Sequence, residues 1–113
     1  MPRFLAVYTM RAENVARFRA MSRADQDAVD ARGMKAWGDW LTATTHAITD
    51  KGGMVGKTKR ISKAGIANAV NDICGYVVVE APTIEDAARL FENHPHFAIF
   101  PGDAVDVMPL VTD

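Results

Sequence analysis

From Arg3 to Thr9 apolar side chains fall on both faces of an extended segment, Phe4, Ala6 and Tyr8 on one and Leu5 and Val7 on the other. That pattern predicts a first strand. Residues 11–32 are polar and rich in alanine and arginine. They predict a helical region of low amphipathicity, with Ser22 as an N-cap three positions before Asp25. The clearest helical period follows, where Met34, Trp37, Leu41, Thr44 and Ile48 recur at spacings of three and four, with Trp40 at the edge of the stripe. Gly52-Gly53 is the expected stop, since glycine tolerates the left-handed turn that ends a helix. Met54 to Ile61 reads as a strand with Lys57 and Lys59 at alternate positions. Ser62 to Asp72, small and polar without a period, reads as a long loop that opens easily. Ile73 to Ala81 is the strongest strand, with Val77, Val78 and Val79 apolar on both faces. Thr83 then caps a second helix, with Asp86 in the capping-box position and Ile84, Ala87, Ala88 and Phe91 as its buried stripe. Pro95 is the expected terminator, Pro101-Gly102-Asp103 a turn, and Ala104 to Leu110 the last strand.

The order β-α-β-β-α-β predicts an α+β fold of the ferredoxin-like type, with an antiparallel four-stranded sheet in one domain spanning residues 1–113. Two helices cover one face of such a sheet. The first and third strands nevertheless carry apolar residues on both faces, so a lone chain exposes an apolar patch larger than monomers tolerate. A homodimer that packs the two open faces together removes that cost.

Composition narrows the function without naming it. The 13 Lys and Arg against 14 Asp and Glu leave a formal net charge of -1. No positive field favours nucleic acid or an anionic membrane. The run Lys57, Lys59, Arg60 and Lys63 is the one basic cluster, and a solvated face accounts for it. Cys74 is the only cysteine, which excludes an intrachain disulfide and a multi-cysteine metal site. The start, Met1-Pro2-Arg3-Phe4, lacks the apolar stretch of a secretory signal, and no run approaches the roughly 18 apolar residues that cross a bilayer. A cytoplasmic protein without membrane contact is expected.

The segments Phe4-Leu5-Ala6-Val7-Tyr8, Met34 to Leu41, Asp50-Lys51-Gly52-Gly53, Gly75 to Ala81, Thr83 to Ala87, His94-Pro95-His96 and Val105-Asp106-Val107 together resemble the YCII-related, DGPF-like small proteins. The resemblance implies a dimeric α+β barrel with a pocket in each subunit between sheet and helices. It also implies one of two roles. Some relatives are small lyase-like or dehalogenating enzymes that use no metal or organic cofactor, whereas DGPF-type members often accompany sigma factors. Two departures stand out. Gly52-Gly53 is followed by Met54 and Val55 rather than by proline and an aromatic. The segment Ser22 to Met34 holds Asp25, Asp27 and Asp30 but no histidine, so the acid–base dyad near the first helix of enzyme-like relatives is missing.

Candidate chemistry is sparse. His94 and His96 flank Pro95, and imidazole both titrates near neutrality and ligates metals. His94 continues the buried stripe from Phe91, which suits a structural role, or a polar contact to a ligand. His96 is expected beyond the helix and free to reach a pocket, with Phe97 and Phe100 near enough to desolvate it and favour the neutral base. His96 is therefore the candidate catalytic residue, replaceable by asparagine with little effect on folding. Tyr8, Trp37, Trp40, Tyr76 and His94 are the candidate ligand-binding residues, although the tryptophans also serve as core. No third metal ligand accompanies the histidines, and no phosphate loop or nucleophile elbow is present, so neither a metal nor a cofactor is expected. His46 and Asp39 fall on the outer side of the helix. The expected ligand is a small acidic or phenolic compound, with a non-catalytic regulatory dimer as the rival reading.

Overall fold

The computed structural model describes residues 1–112. In chain order these form β1 (Arg3–Thr9), α1 (Ala12–Ala20), α2 (Arg23–Thr44), a 3-10 turn (Thr45–Ala47), β2 (Ile48–Met54), β3 (Thr58–Ser62), β4 (Gly65–Ala69), β5 (Ile73–Glu80), α3 (Ile84–Arg89), α4 (Pro95–Ala98) and β6 (Ala104–Pro109). Four strands make one antiparallel sheet in the order β2-β5-β1-β6, while β3 and β4 form a separate two-stranded hairpin.

Both helix caps lie where the side chains ask for them. Ser22 Oγ accepts the Asp25 N–H at 3.1 Å and Thr83 Oγ1 accepts the Asp86 N–H at 3.1 Å. Ser22 also divides the polar stretch 11–32, because the chain at Met21 and Ser22 is extended and α2 starts afresh at Arg23.

Elsewhere local chemistry overrides the periodic pattern. The main helix ends at Thr44, eight residues before Gly52, so Ile48 opens β2 instead of completing a helical stripe. The hydroxyls of Thr42, Thr44 and Thr45 bond back to the carbonyls of Gly38, Trp40 and Leu41, at 3.1, 2.6 and 2.7 Å, and compete with continued helix. Met34 is 67% exposed, and the buried positions of α2 are Gly33 and Thr44. Gly33 is required there because a Cβ would collide with the Phe100 ring.

Gly52 sits inside β2, at φ 59°, in a bulge. Asp50 Oδ1 takes its N–H at 2.8 Å, and a Cβ at this position would run into the Tyr76 carbonyl. The expected strand from Met54 to Ile61 is two strands broken at Val55–Lys57, and the expected loop from Ser62 to Asp72 contains β4. Finally, α3 ends at Arg89, and Pro95 opens α4 as its first residue instead of terminating a helix.

The core lies between the sheet and the helices. Phe4, Ala6 and Tyr8 from β1 meet Val77 and Val79 from β5 and Ala87 and Phe91 from the α3 region, with Trp37, Trp40, Val105 and Val107 packed around them. The alternate residues Leu5 and Val7 are half-buried on the other side of the sheet, beside Val78 and the 41%-exposed Met108. The molecule measures 44 × 43 × 18 Å with a radius of gyration of 15.6 Å. A compact chain of this length has about 13 Å. It is flat because one sheet face is thinly covered and the hairpin stands apart.

His94 belongs to this core. It is 1% exposed, its ring stands 4.5 Å from Trp37 and 4.6 Å from Trp40, and its Nδ1 accepts the His96 N–H at 3.0 Å to cap α4. Burial, with His96 adding to it, lowers its pKa to about 4. Between the ordinary value of 6.5 and about 4 the unfolded chain therefore binds a proton that the folded chain does not. Stability is complete above pH 6.5 and falls as pH drops through that window, by up to about 1.4 kcal/mol per pH unit for this group. Urea unfolding from pH 7.5 downward measures the slope, and a His94→Asn variant should lose its share of the slope while starting less stable. A flat wild-type profile contradicts the neutral buried state. Hydrogen exchange should likewise find the β3–β4 amides less protected than those of β1 and β5, since their ladder has no second neighbour.

Candidate functional site

A cavity of about 320 Å³ opens where β1, β5 and β2 meet α2 and the segment after α4. Its walls are Tyr8, Trp37, Tyr76, Leu41 and Phe100, with Met10, Met34 and Met54, and His96 and Lys51 are its titratable nitrogen groups. The volume is at the small end of ligand pockets, which run from about 300 to 1,000 Å³.

His96 is held differently from what its position after Pro95 suggested. It lies within α4 and is 1% exposed, as buried as His94. Its Nε2 is 2.8 Å from the Thr9 carbonyl. A carbonyl only accepts, so Nε2 carries the proton and Nδ1 of the neutral ring carries a lone pair. Nδ1 has no hydrogen-bond partner. His96 is one of the residues that line the cavity. Desolvation lowers the His96 pKa, offset in part by the Thr9 bond and by Asp103. The ring is thus neutral at pH 7 with its basic nitrogen available.

The Thr9 carbonyl is itself fixed, since it also accepts the Asp103 N–H at 2.9 Å. Asp103 in turn takes the Arg11 backbone N–H at 2.6 Å, the Arg11 Nε–H at 2.9 Å and the Asn14 Nδ2–H at 2.9 Å. These donors, the Arg11 backbone first, keep its carboxyl below the usual range. Gly102 lets the chain pass against the imidazole, where a Cβ would strike the ring.

Tyr8 supplies a second polar group. Its hydroxyl lies 3.4 Å from His94 Nε2. Because His94 Nδ1 is occupied as an acceptor, neutral His94 carries its proton on Nε2 and donates to the Tyr8 oxygen. The phenolic hydrogen of Tyr8 is then left to point elsewhere. Burial first, and Cys74 second, push the Tyr8 pKa upward, so the group stays a phenol and a donor. The Tyr8 ring is 4.9 Å from Trp37 and 5.2 Å from His96.

Of the residues singled out in the sequence, Tyr8, Trp37, Tyr76 and His96 line the cavity together. Trp40 and His94 stand behind the wall and do not. Trp40 donates its indole N–H to the Leu90 carbonyl at 2.7 Å and ties α2 to the end of α3, and His94 lies against it. Asp25, Asp27 and Asp30 are exposed on α2, and His46 and Asp39 are exposed as expected. Lys51 and the three methionines were not legible as lining residues; the position of Lys51 and Met54 depends on the β2 bulge. Among the described residues no group of three or more His, Cys, Asp or Glu side chains is placed to hold a metal ion, and no helix is long and apolar enough to cross a membrane.

No family model and no curated protein sequence matches the chain. Among solved structures the fold is similar to that of 5-chloro-2-hydroxyhydroquinone dehydrochlorinase (TftG) from Burkholderia phenoliruptrix AC1100, determined in complex with 2,5-dihydroxybenzoquinone. The two share 16% identity with a TM-score of 0.54, over 93% of this chain and 89% of that one. At this identity the likeness establishes a common α+β fold.

Proposed function

We propose that this chain is a YCII-like small-molecule-binding domain that acts, without a cofactor, as an acid–base catalyst on a small phenolic or acidic compound. The observation that carries the reading is His96, a neutral imidazole with an unpartnered Nδ1 that lines an aromatic cavity together with Tyr8, the two rings 5.2 Å apart. A ligand O–H placed against Nδ1 gives up its proton there, and the electron pair stays on the ligand oxygen. The imidazolium that forms keeps its Nε2–H on the Thr9 carbonyl, a bond that favours the charged form, and Asp103 adds to that preference. Tyr8, kept as a phenol, donates its hydrogen to the ligand oxygen that gains charge. A quinone-sized ligand in a protein of the same fold agrees with a one-ring occupant.

The regulatory reading has one specific support, that His96 is oriented by a backbone carbonyl and not by a carboxylate. We place the chain, as a proposal, in the ferredoxin-like dimeric α+β barrel class. Its open sheet face, Leu5, Val7 and Val78 with Met108, meets the same face of a second copy.

Light scattering at micromolar concentration should give twice the 12.3 kDa chain mass. Leu5→Asp should shift the protein toward monomer, and a wild-type monomer removes the dimer. For the site, quenching of tryptophan fluorescence by 2,5-dihydroxybenzoquinone reports occupancy next to Trp37. His96→Gln should weaken binding about tenfold or more while remaining folded. It should also be less stable by about 1–3 kcal/mol, because the ring is buried and hydrogen-bonded. Since the His96 pKa lies below its ordinary value, wild-type binding should persist below pH 6.5, where an ordinary histidine is protonated. Binding unchanged in a folded His96→Gln protein would overturn the assigned role.

A further inference from the structure

Lys51 is the one residue lining the cavity that carries a full charge; no Asp, Glu or Arg side chain shares the wall, and His96 is neutral. It is also unpartnered. Lys35 pairs with Asp39 at 3.2 Å and Lys59 with Asn68, but Lys51 makes no hydrogen bond or ion pair among the described residues. Its neighbour Asp50 is turned to the Gly52 N–H, at 2.8 Å, and closes the bulge. The bulge requires glycine, because Gly52 is at φ 59° with no room for a Cβ against the Tyr76 carbonyl. Lys51 and Gly53 on either side of it both border the cavity. Lys51 is therefore an exposed lysine without a partner at the edge of an otherwise apolar and aromatic chamber, and it also borders a groove with Thr42, Thr45 and Thr49.

An ammonium facing a low-dielectric wall attracts an anion more strongly than it does in open water and disfavours a cation. Among the other polar side chains that line the chamber are His96, whose Nδ1 has no hydrogen-bond partner, and Tyr8, a phenol. These two suit a ring hydroxyl, and they leave Lys51 without a counterpart unless the ligand brings a negative charge. We infer that Lys51 is the specificity-determining residue of this cavity, selecting a single-ring hydroxyarene that bears a carboxylate over its neutral analogue. This rests on the proposed function and adds to it the charge of the ligand and the residue that reads it.

The test uses two probes of nearly equal shape, 4-hydroxybenzoate and 4-hydroxybenzamide, titrated against the intact protein by tryptophan fluorescence at pH 7.5. The wild type should favour the carboxylate by about twofold to fivefold, the range expected for a partly exposed ion pair. Raising ionic strength from about 20 to about 300 mM should shrink that preference, as screening requires. Lys51→Met should bind the two probes about equally, and Lys51→Glu should invert the preference. Lys51 is exposed and has no partner, so both variants should melt with the wild type. If the wild type binds both probes equally, or Lys51→Met keeps the preference, the inference about Lys51 is overturned and the cavity remains a ligand site. If neither probe changes the fluorescence of any of the three proteins, the proposed function falls and the inference with it.

Discussion

Two imidazoles are buried within three residues of each other, and that confinement governs the arrangement around them. Neither ring can ionise cheaply where it is, so each must be neutral, and a neutral imidazole has one donor and one acceptor to place. His94 gives its acceptor to the first turn of α4 and its donor to Tyr8. His96 gives its donor to the end of β1 and keeps its acceptor. The asymmetry follows from geometry alone, and it makes one histidine a fully bonded part of the core and leaves the other with a free acceptor. Gly33, which admits Phe100, and Gly102, which admits the His96 ring, are the small residues that let these aromatic groups lie so close.

What could be read from the sequence is what depends on near neighbours. The strands β1 and β5 announce themselves by apolar runs, and Ser22 and Thr83 by the residues three positions on. Tyr8, Trp37, Tyr76 and His96 could be chosen because aromatic and imidazole groups are scarce in this chain. The failures share a different cause. The threonines at 42, 44 and 45 bond back to carbonyls of the last turns of α2, weakening the helix in a way that a hydrophobic period does not register. The β3–β4 hairpin hides because both of its faces are exposed, so no alternation of burial marks it, and its Ile61 and Ile66 pair with each other in water. Pro95 fits the end of one helix and the start of the next equally well, and only tertiary packing decides between them. The exposure expected of His96 failed with that decision.

The charge distribution has the same two-part character as the shape. All four cations of residues 55–71 lie in or beside the hairpin, with no acidic residue among them, although the whole chain is slightly acidic. The flat body therefore carries the negative excess and the projecting hairpin the positive.

The atom that orients His96 belongs to the main chain. A carbonyl at the end of a central strand is present whatever side chain occupies position 9, so no single substitution there deletes it, and drift cannot erode the tautomer one residue at a time. The cost is rigidity of a heritable kind: the basicity of His96 cannot be adjusted by exchanging its orienting group, as it can where a carboxylate does that work. Variation around the ring has to come instead from side chains near it, from Asp103 and from the cavity wall, whose methionines and Lys51 can change without disturbing the backbone that sets the proton in place.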